Sequence, residues 1–147
     1  MSTVKGILAQ KGGTLIHVRP GEMVAEALQK MRDNRVRAVL VIDDGALAGI
    51  VTLGDCAIKV LLPGLDAKKT PVDDVMTCNP VTVKPGDPLD GCMAMMVERG
   101  YRHLPVVDVG KVVGIISIGE VVKNTIRDLE LNVNDLMGHI MADGPGG

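Results

Sequence analysis

Two stretches of this chain repeat each other: Gly49-Ile50-Val51-Thr52-Leu53-Gly54-Asp55, and then Gly114-Ile115-Ile116-Ser117-Ile118-Gly119-Glu120, in which Ser117 stands 65 positions after Thr52. The same offset carries Val18-Arg19-Pro20-Gly21 onto Val83-Lys84-Pro85-Gly86, Met31 onto Met96, Arg37 onto Arg102, Asp43 onto Asp108 and Gly45 onto Gly110. Self-similarity at a fixed period constrains a fold more than any local propensity does. A unit of this length is too long for a solenoid repeat. It is also short for an independent domain, since a ~60-residue unit buries only ~60% of its unfolded surface. Two halves sharing one core are therefore expected.

Each motif is an apolar run, a hydroxyl residue and, three positions on, a carboxylate. That is the pattern of a strand entering a helix through a capping box, with Ser or Thr accepting from the backbone N–H of the third helical residue and the acid reaching back to the cap's own N–H. A helix start also leaves unpaired donors and a positive dipole end, so it can hold an anion or a polar ligand.

The remaining elements follow in order. Thr3 to Leu8 reads as a short helical lead-in matched by Pro71 to Met76, here at an offset of 68, so the first copy carries three extra residues around Lys11-Gly12-Gly13. Leu15 to Val18 and Val81-Thr82-Val83 read as short strands. Val24, Ala27, Leu28 and Met31 fall on one helical face, as do Leu89, Cys92, Met93 and Met96, the latter helix opened by Asp87 as N-cap with Pro88 at its first position and closed near Gly100. Val39 to Ile42, the turn Asp43-Asp44-Gly45 and Leu47 to Val51 predict a hairpin; Leu104 to Val107 and Val112 to Ile116, turning around Val109-Gly110, predict another. Their almost wholly apolar strands call for cover on both faces. A last helix follows each motif, Leu53 to Leu62 in the first half and from Ile118 onward in the second. The unit is β-α-β-β-α twice, an α+β arrangement, with repeat 1 and its lead-in and linker at 1–67, repeat 2 at 68–127, and a helical extension with a frayed end, Asp143 to Gly147, at 128–147. Val122, Ile126, Leu129, Val133, Leu136 and Ile140 form a heptad seam along that extension. It can pack on its own domain or pair with a second subunit.

Composition excludes several functions. The chain has one Tyr, no Phe, no Trp and a net charge of −2, so it offers neither the stacking platform nor the basic face of a nucleic-acid binder. Cys56, Cys78 and Cys92 are odd in number and lack C-x-x-C spacing, which reads as buried thiols and not as a disulfide framework or zinc site. No run approaches the ~18 apolar residues of a membrane span, and Met1 to Gly13 has no signal-peptide core; a cytoplasmic location is expected. No nucleophile and base pair, metal cluster or phosphate-cradling P-loop is readable, so no catalytic and no metal residue is assigned.

A tandem β-α-β-β-α unit with G-h-h-[ST]-x-x-[DE] after its second hairpin strand, and with Arg102-His103-Leu104-Pro105-Val106-Val107-Asp108, resembles the cystathionine-β-synthase (CBS) domain family over residues 3 to about 127. More narrowly it looks like the small stand-alone bacterial CBS-pair proteins of signal transduction. The resemblance implies two repeats packed through their sheets with pseudo-two-fold symmetry, clefts between them for AMP, ADP, ATP, NAD or S-adenosylmethionine, a homodimer of such pairs, and an effector protein that receives the signal. It implies that Thr52 and Ser117 lie near ribose and phosphate, and that Asp55 and Glu120 hold the ribose diol, as an acid does in dinucleotide-binding folds. It implies that the backbone of Ile16-His17-Val18 and Val81-Thr82-Val83 reads the adenine edge, and that Val39-Leu40 and Leu104-Pro105 wall the base pocket. Arg102 and His103, with Arg37 as counterpart, are the cations for phosphate. Relatives of this type often carry Arg where Gly54 stands, and Glu120 replaces the commoner Asp. Because Arg102 and His103 stand together, the second half is the expected site. The alternative is that both motifs are helix caps and nothing else, worth ~1 kcal/mol each, in an interaction module with vestigial clefts that works by dimerising.

Overall fold

The computed structural model describes residues 2–142, with side chains through 138; the frayed end expected at 143–147 and the side chains of His139 and Ile140 lie outside the described residues. The elements run α1 (Val4–Lys11), β1 (His17–Val18), α2 (Val24–Asn34), β2 (Ala38–Asp43), β3 (Ala46–Thr52), α3 (Leu53–Cys56), β4 (Thr77–Cys78), α4 (Leu89–Arg99), β5 (His103–Asp108), β6 (Lys111–Ser117) and α5 (Ile118–Ala142).

The hairpins form where apolar runs meet turns able to take positive φ. Asp44 and Gly45 sit at φ 49° and 83°, Val109 and Gly110 at 49° and 77°, the pair of left-handed positions that a tight hairpin needs. Both hairpins shift register at the same repeat position, between Val41 and Ile42 and between Val106 and Val107. Side chains alternate across each strand, so one face of β2 gives Val39 and Val41 to the first core while the other gives Leu40 and Ile42 to a layer shared with Val112, Val107 and Ile115 of the second half. Leu104, Val106 and Ile116 face the second core. The two sheets therefore pack through a common apolar layer, with helices outside, in the expected pseudo-two-fold arrangement.

The flanking segments cross over. From α1, Val4 and Ile7 are buried in the second core with Leu89, Met96 and Leu104, while Val72 and Val75, the counterparts from the middle of the chain, are buried in the first. Backbone bonds fasten the exchange: Val4 donates to the Asp87 carbonyl at 3.0 Å, Leu89 to that of Ser2 at 3.0 Å, and Val72 to that of Glu22 at 2.8 Å. Each half is thus sealed by chain that precedes the other.

Several local expectations are corrected. Val81 to Val83 is no strand; only Val83 bridges to Val106, while Thr77 and Cys78 add an edge to the first sheet in the order β1-β2-β3-β4. The reason lies between them: Asn79 takes φ 50° and Pro80 has no N–H to give a ladder. Cys78 is accordingly exposed, whereas Cys56 and Cys92 are buried, and burial pushes the Cys56 thiol up to about 11. Pro88, not Asp87, is the N-cap of α4; the Asp87 carboxylate accepts instead from the Lys84 N–H at 2.9 Å, closing the preceding turn. The helix after the first motif is α-helical only to Cys56 and widens into a π turn over Ala57–Leu61, while its counterpart α5 runs on to Ala142.

Candidate functional site

A cavity of about 680 Å³ opens between the halves beside the start of α3, within the range usual for small-molecule sites. Thr52, Asp55, Arg37, Arg102, His103 and Leu104 all line it. The local fold explains the gathering. The first N–H of α3, from Leu53, donates to the Arg37 carbonyl at 2.9 Å, and that of α5, from Ile118, donates to the Arg102 carbonyl at 2.9 Å. Each helix start is thereby tied to the residue that leads into its own hairpin, and because the sheets pack face to face, both leads meet at the junction.

At the first motif the capping box is complete: Thr52 Oγ1 accepts from the Asp55 N–H at 3.0 Å, and Asp55 Oδ2 accepts from the Thr52 N–H at 3.0 Å. Asp55 Oδ1 faces Lys59 Nζ at 3.5 Å, one turn along the same helix, and Lys59 Nζ also donates to the Val75 carbonyl at 3.0 Å. Each carboxylate oxygen keeps a lone pair for a further donor. Arg37 and Arg102 are exposed, and among the described residues neither guanidinium forms an ion pair. His103 is held below the usual imidazole range, first by burial and then by the Lys11 charge; Glu120 pulls the other way, and Arg102 and Arg37 add smaller downward pushes. The neutral form is thereby favoured, in which one ring nitrogen donates and the other accepts.

The second motif closes the same reciprocal cap, the Glu120 N–H donating to Ser117 Oγ at 3.3 Å, but its acid takes more donors. Glu120 Oε1 takes the Ser117 N–H at 3.0 Å, the Ser117 hydroxyl at 2.9 Å and Lys11 Nζ at 3.2 Å, and Lys11 Nζ donates to the Ile115 carbonyl at 2.6 Å. Ser117 and Glu120 do not line the 680 Å³ cavity. Arg102 and His103, grouped by sequence with the second motif and paired there through His103 and Ser117, also line the cavity beside the first.

Of the other sequence candidates, Val18, Val39 and Val83 are buried in the cores, Pro105 is buried in β5, and Thr82 is exposed. His17 is half-buried, its Nδ1 3.2 Å from the Leu15 carbonyl and its own carbonyl taken by Lys30 Nζ at 2.6 Å. The sequence reading missed Thr77, Asn79 and Tyr101 at the cavity. Tyr101 is the chain's one Phe, Tyr or Trp and so carried a signal; Thr77 and Asn79 stand in the stretch where the two copies differ in length and carried none. Among the described residues no group of three or more His, Cys, Asp or Glu could hold a metal, and no helix is long and apolar enough to cross a membrane.

The tandem repeat has counterparts among known proteins. The CBS domain model matches residues 13–61 and again 72–126. The CBS domain-containing protein YhcV of Bacillus subtilis (strain 168) is 32% identical over 87% of this chain and 89% of its own length. The chain spans only about a quarter of the CBS domain-containing protein CBSCBSPB2 of Arabidopsis thaliana, with 36% identity. Among solved structures, a protein with CBS domains from Burkholderia ambifaria MC40-6 is 42% identical with a TM-score of 0.81, covering 86% of this chain and 96% of its own. The CBS domain pair of protein MJ0100, in complex with 5'-methylthioadenosine and S-adenosyl-L-methionine, is 25% identical with a TM-score of 0.76, covering 87% of this chain and 98% of its own.

Proposed function

Because the chain belongs to the CBS domain family, we propose that it is a regulatory module whose first cleft takes an adenine nucleotide. Modules of this family regulate; no catalytic step is assigned to this chain, and its signal passes to another protein. One observation carries the reading: the cavity unites Thr52 and Asp55 of one repeat with Arg102 and His103 of the other, and adds Arg37. Asp55 is suited to accept from two vicinal hydroxyls, Tyr101 and Leu53 offer flat and apolar surface to a base, and the two guanidiniums, without ion pairs among the described residues, suit phosphate. The MJ0100 pair binds adenosyl compounds without phosphate. The unpaired Arg37 and Arg102 favour a phosphorylated ligand here, since a sulfonium cation beside them is repelled. Binding becomes regulation if the ligand prefers one arrangement of the repeats over another, and a site formed from both repeats has that preference built in.

Calorimetric titration tests this directly. AMP is expected to release heat and raise the melting temperature, ADP, ATP and NAD are to be ranked against it, and S-adenosylmethionine is expected to bind at least tenfold more weakly. Absence of heat and of any thermal shift with all five defeats the reading.

A second reading, an interaction module that works by dimerising, is favoured by α5. Val122, Ile126, Leu129, Val133 and Leu136 are exposed by 37 to 61%, so the seam does not pack on its own domain. Leu61, at the repeat position of Ile126, is also exposed. An apolar stripe of this length marks a contact surface. Sedimentation is expected to show a dimer for the full chain and a monomer for a chain ended after Arg127; an unchanged dimer removes the seam from consideration.

A further inference from the structure

The two helix-start ledges, Thr52 to Asp55 and Ser117 to Glu120, each have one lysine, and the lysines come from different elements. Asp55 is met by Lys59 from its own helix, which also reaches the Val75 carbonyl and does not line the cleft. At the repeat position of Lys59 the second half has Asn124, which turns back to the Glu120 carbonyl at 2.8 Å and touches Gln10. Glu120 is met instead by Lys11 at 3.2 Å. Lys11 lies in the stretch 9–15 that answers, with three residues added, to 77–80, and Thr77, Asn79 and Pro80 line the open cleft of the first half. The cation of the second ledge therefore stands where, in the first, the cleft is open.

The placement is built and not incidental. Lys11 is the last residue of α1, whose Val4 and Ile7 are buried in the second core, while Leu8 lies against Gly114, close enough that a Cβ there would sit 2.5 Å from its Cδ2. Packing so fixes the helix end that a four-carbon stem brings Nζ onto both the Ile115 carbonyl and Glu120. Three donors then crowd Glu120 Oε1, more than its two lone pairs accept well. Glutamate in place of aspartate fits this arrangement, because the added methylene extends the carboxylate toward the lysine.

We infer that Lys11 is the chain's own occupant of the second ledge, so that one cleft per chain, the first, is open to ligand. The inference rests on the proposed function in one respect: the competing ligand is the ribose of an adenine nucleotide. Lys11 thereby acts as a latch that excludes ligand from the second ledge, and its removal creates a site where the chain has none.

Calorimetric titration with AMP of the full chain and of its Lys11→Met and Lys11→Arg variants, each checked by thermal melting, decides the matter. One AMP per chain is expected for wild type and Lys11→Arg, and two for Lys11→Met, the new site being the weaker because Glu120 departs from the usual acid. Two AMP in the wild type, or one in Lys11→Met, overturns the latch and leaves the proposed function standing. Binding by Lys11→Met alone keeps the latch and places the failure in the first cleft. No binding by any of the three overturns both. The lysine is exposed by 35% and α1 is held by its buried residues, so folding is preserved, and Lys11→Gln gives a second neutral variant should the methionine associate.

Discussion

Replacing Arg37 and Arg102 together by alanine is expected to weaken AMP binding by on the order of a hundredfold, and to leave adenosine binding within about threefold of wild type. Hydrogen bonds to charged groups contribute about 1.5–3 kcal/mol where they are shielded, and tenfold in affinity is about 1.4 kcal/mol. Both arginines line an open cleft and are exposed, so the lower end of that range applies, about tenfold for each. Neither has an acidic partner among the described residues, so truncation leaves no carboxylate stranded and the loss reports on phosphate alone. Screening supplies an independent check. Raising the salt should weaken AMP binding to wild type and barely affect the double variant, because attraction between exposed charges is screened within about 10 Å at 0.1 M. Equal losses for AMP and adenosine would show that the arginines shape the cleft without contacting phosphate.

That pair also shows how far the site was legible in the chain. The motifs, and the atoms of the capping box at Thr52 and Asp55, followed from spacing, because a hydroxyl and an acid three residues apart have few other uses at a strand-to-helix junction. The hairpins, the two amphipathic helices and the cover on both faces of β2 followed from periodicity. What spacing could not give was which half supplies which side chain to a cleft. Arg102 is adjacent in sequence to the second hairpin and linked by hydrogen bond to the second helix start, yet it lines the first cavity. Sequence adjacency is a backbone relation, whereas the junction is made by two sheets packed through Leu40, Ile42 and Val112. The exchange of α1 and Val72–Asp74 was hidden for the same reason. The offset of 68 announced that these segments correspond, but not that each seals the other half. The break at Asn79 and Pro80 outweighed the β propensity of Val81 to Val83, a case of one missing donor and one left-handed residue deciding a strand.

The exchange has its own expected result. Gly49→Ala should lower stability by about 1–3 kcal/mol, the usual cost of overpacking, while Gly114→Ala, the same change at the same repeat position, should cost less than about 1 kcal/mol. At Gly49 an added Cβ would lie 2.7 Å from the Thr77 carbonyl oxygen and 2.8 Å from Met76 Sδ. Thr77 belongs to β4, which is hydrogen-bonded beside β3 through Gly49 and Ile50, so relief requires the edge strand to move away from its ladder. At Gly114 the obstruction is Leu8 Cδ2, with its other atoms at 3.6 Å, and the end of a leucine can turn where a backbone carbonyl cannot. Thermal melting should separate the two variants by a few degrees, since about 1 kcal/mol shifts a domain of this size by about 2–4 °C. Ligand binding should follow the same order. Thr77 and Asn79 line the first cleft, so displacing β4 in Gly49→Ala disturbs the cavity, while a rotated Leu8 leaves it untouched. Equal destabilisation by the two alanines would mean that the halves yield in the same way, and that the segment crossing from the middle of the chain holds the first sheet no more firmly than the lead-in holds the second.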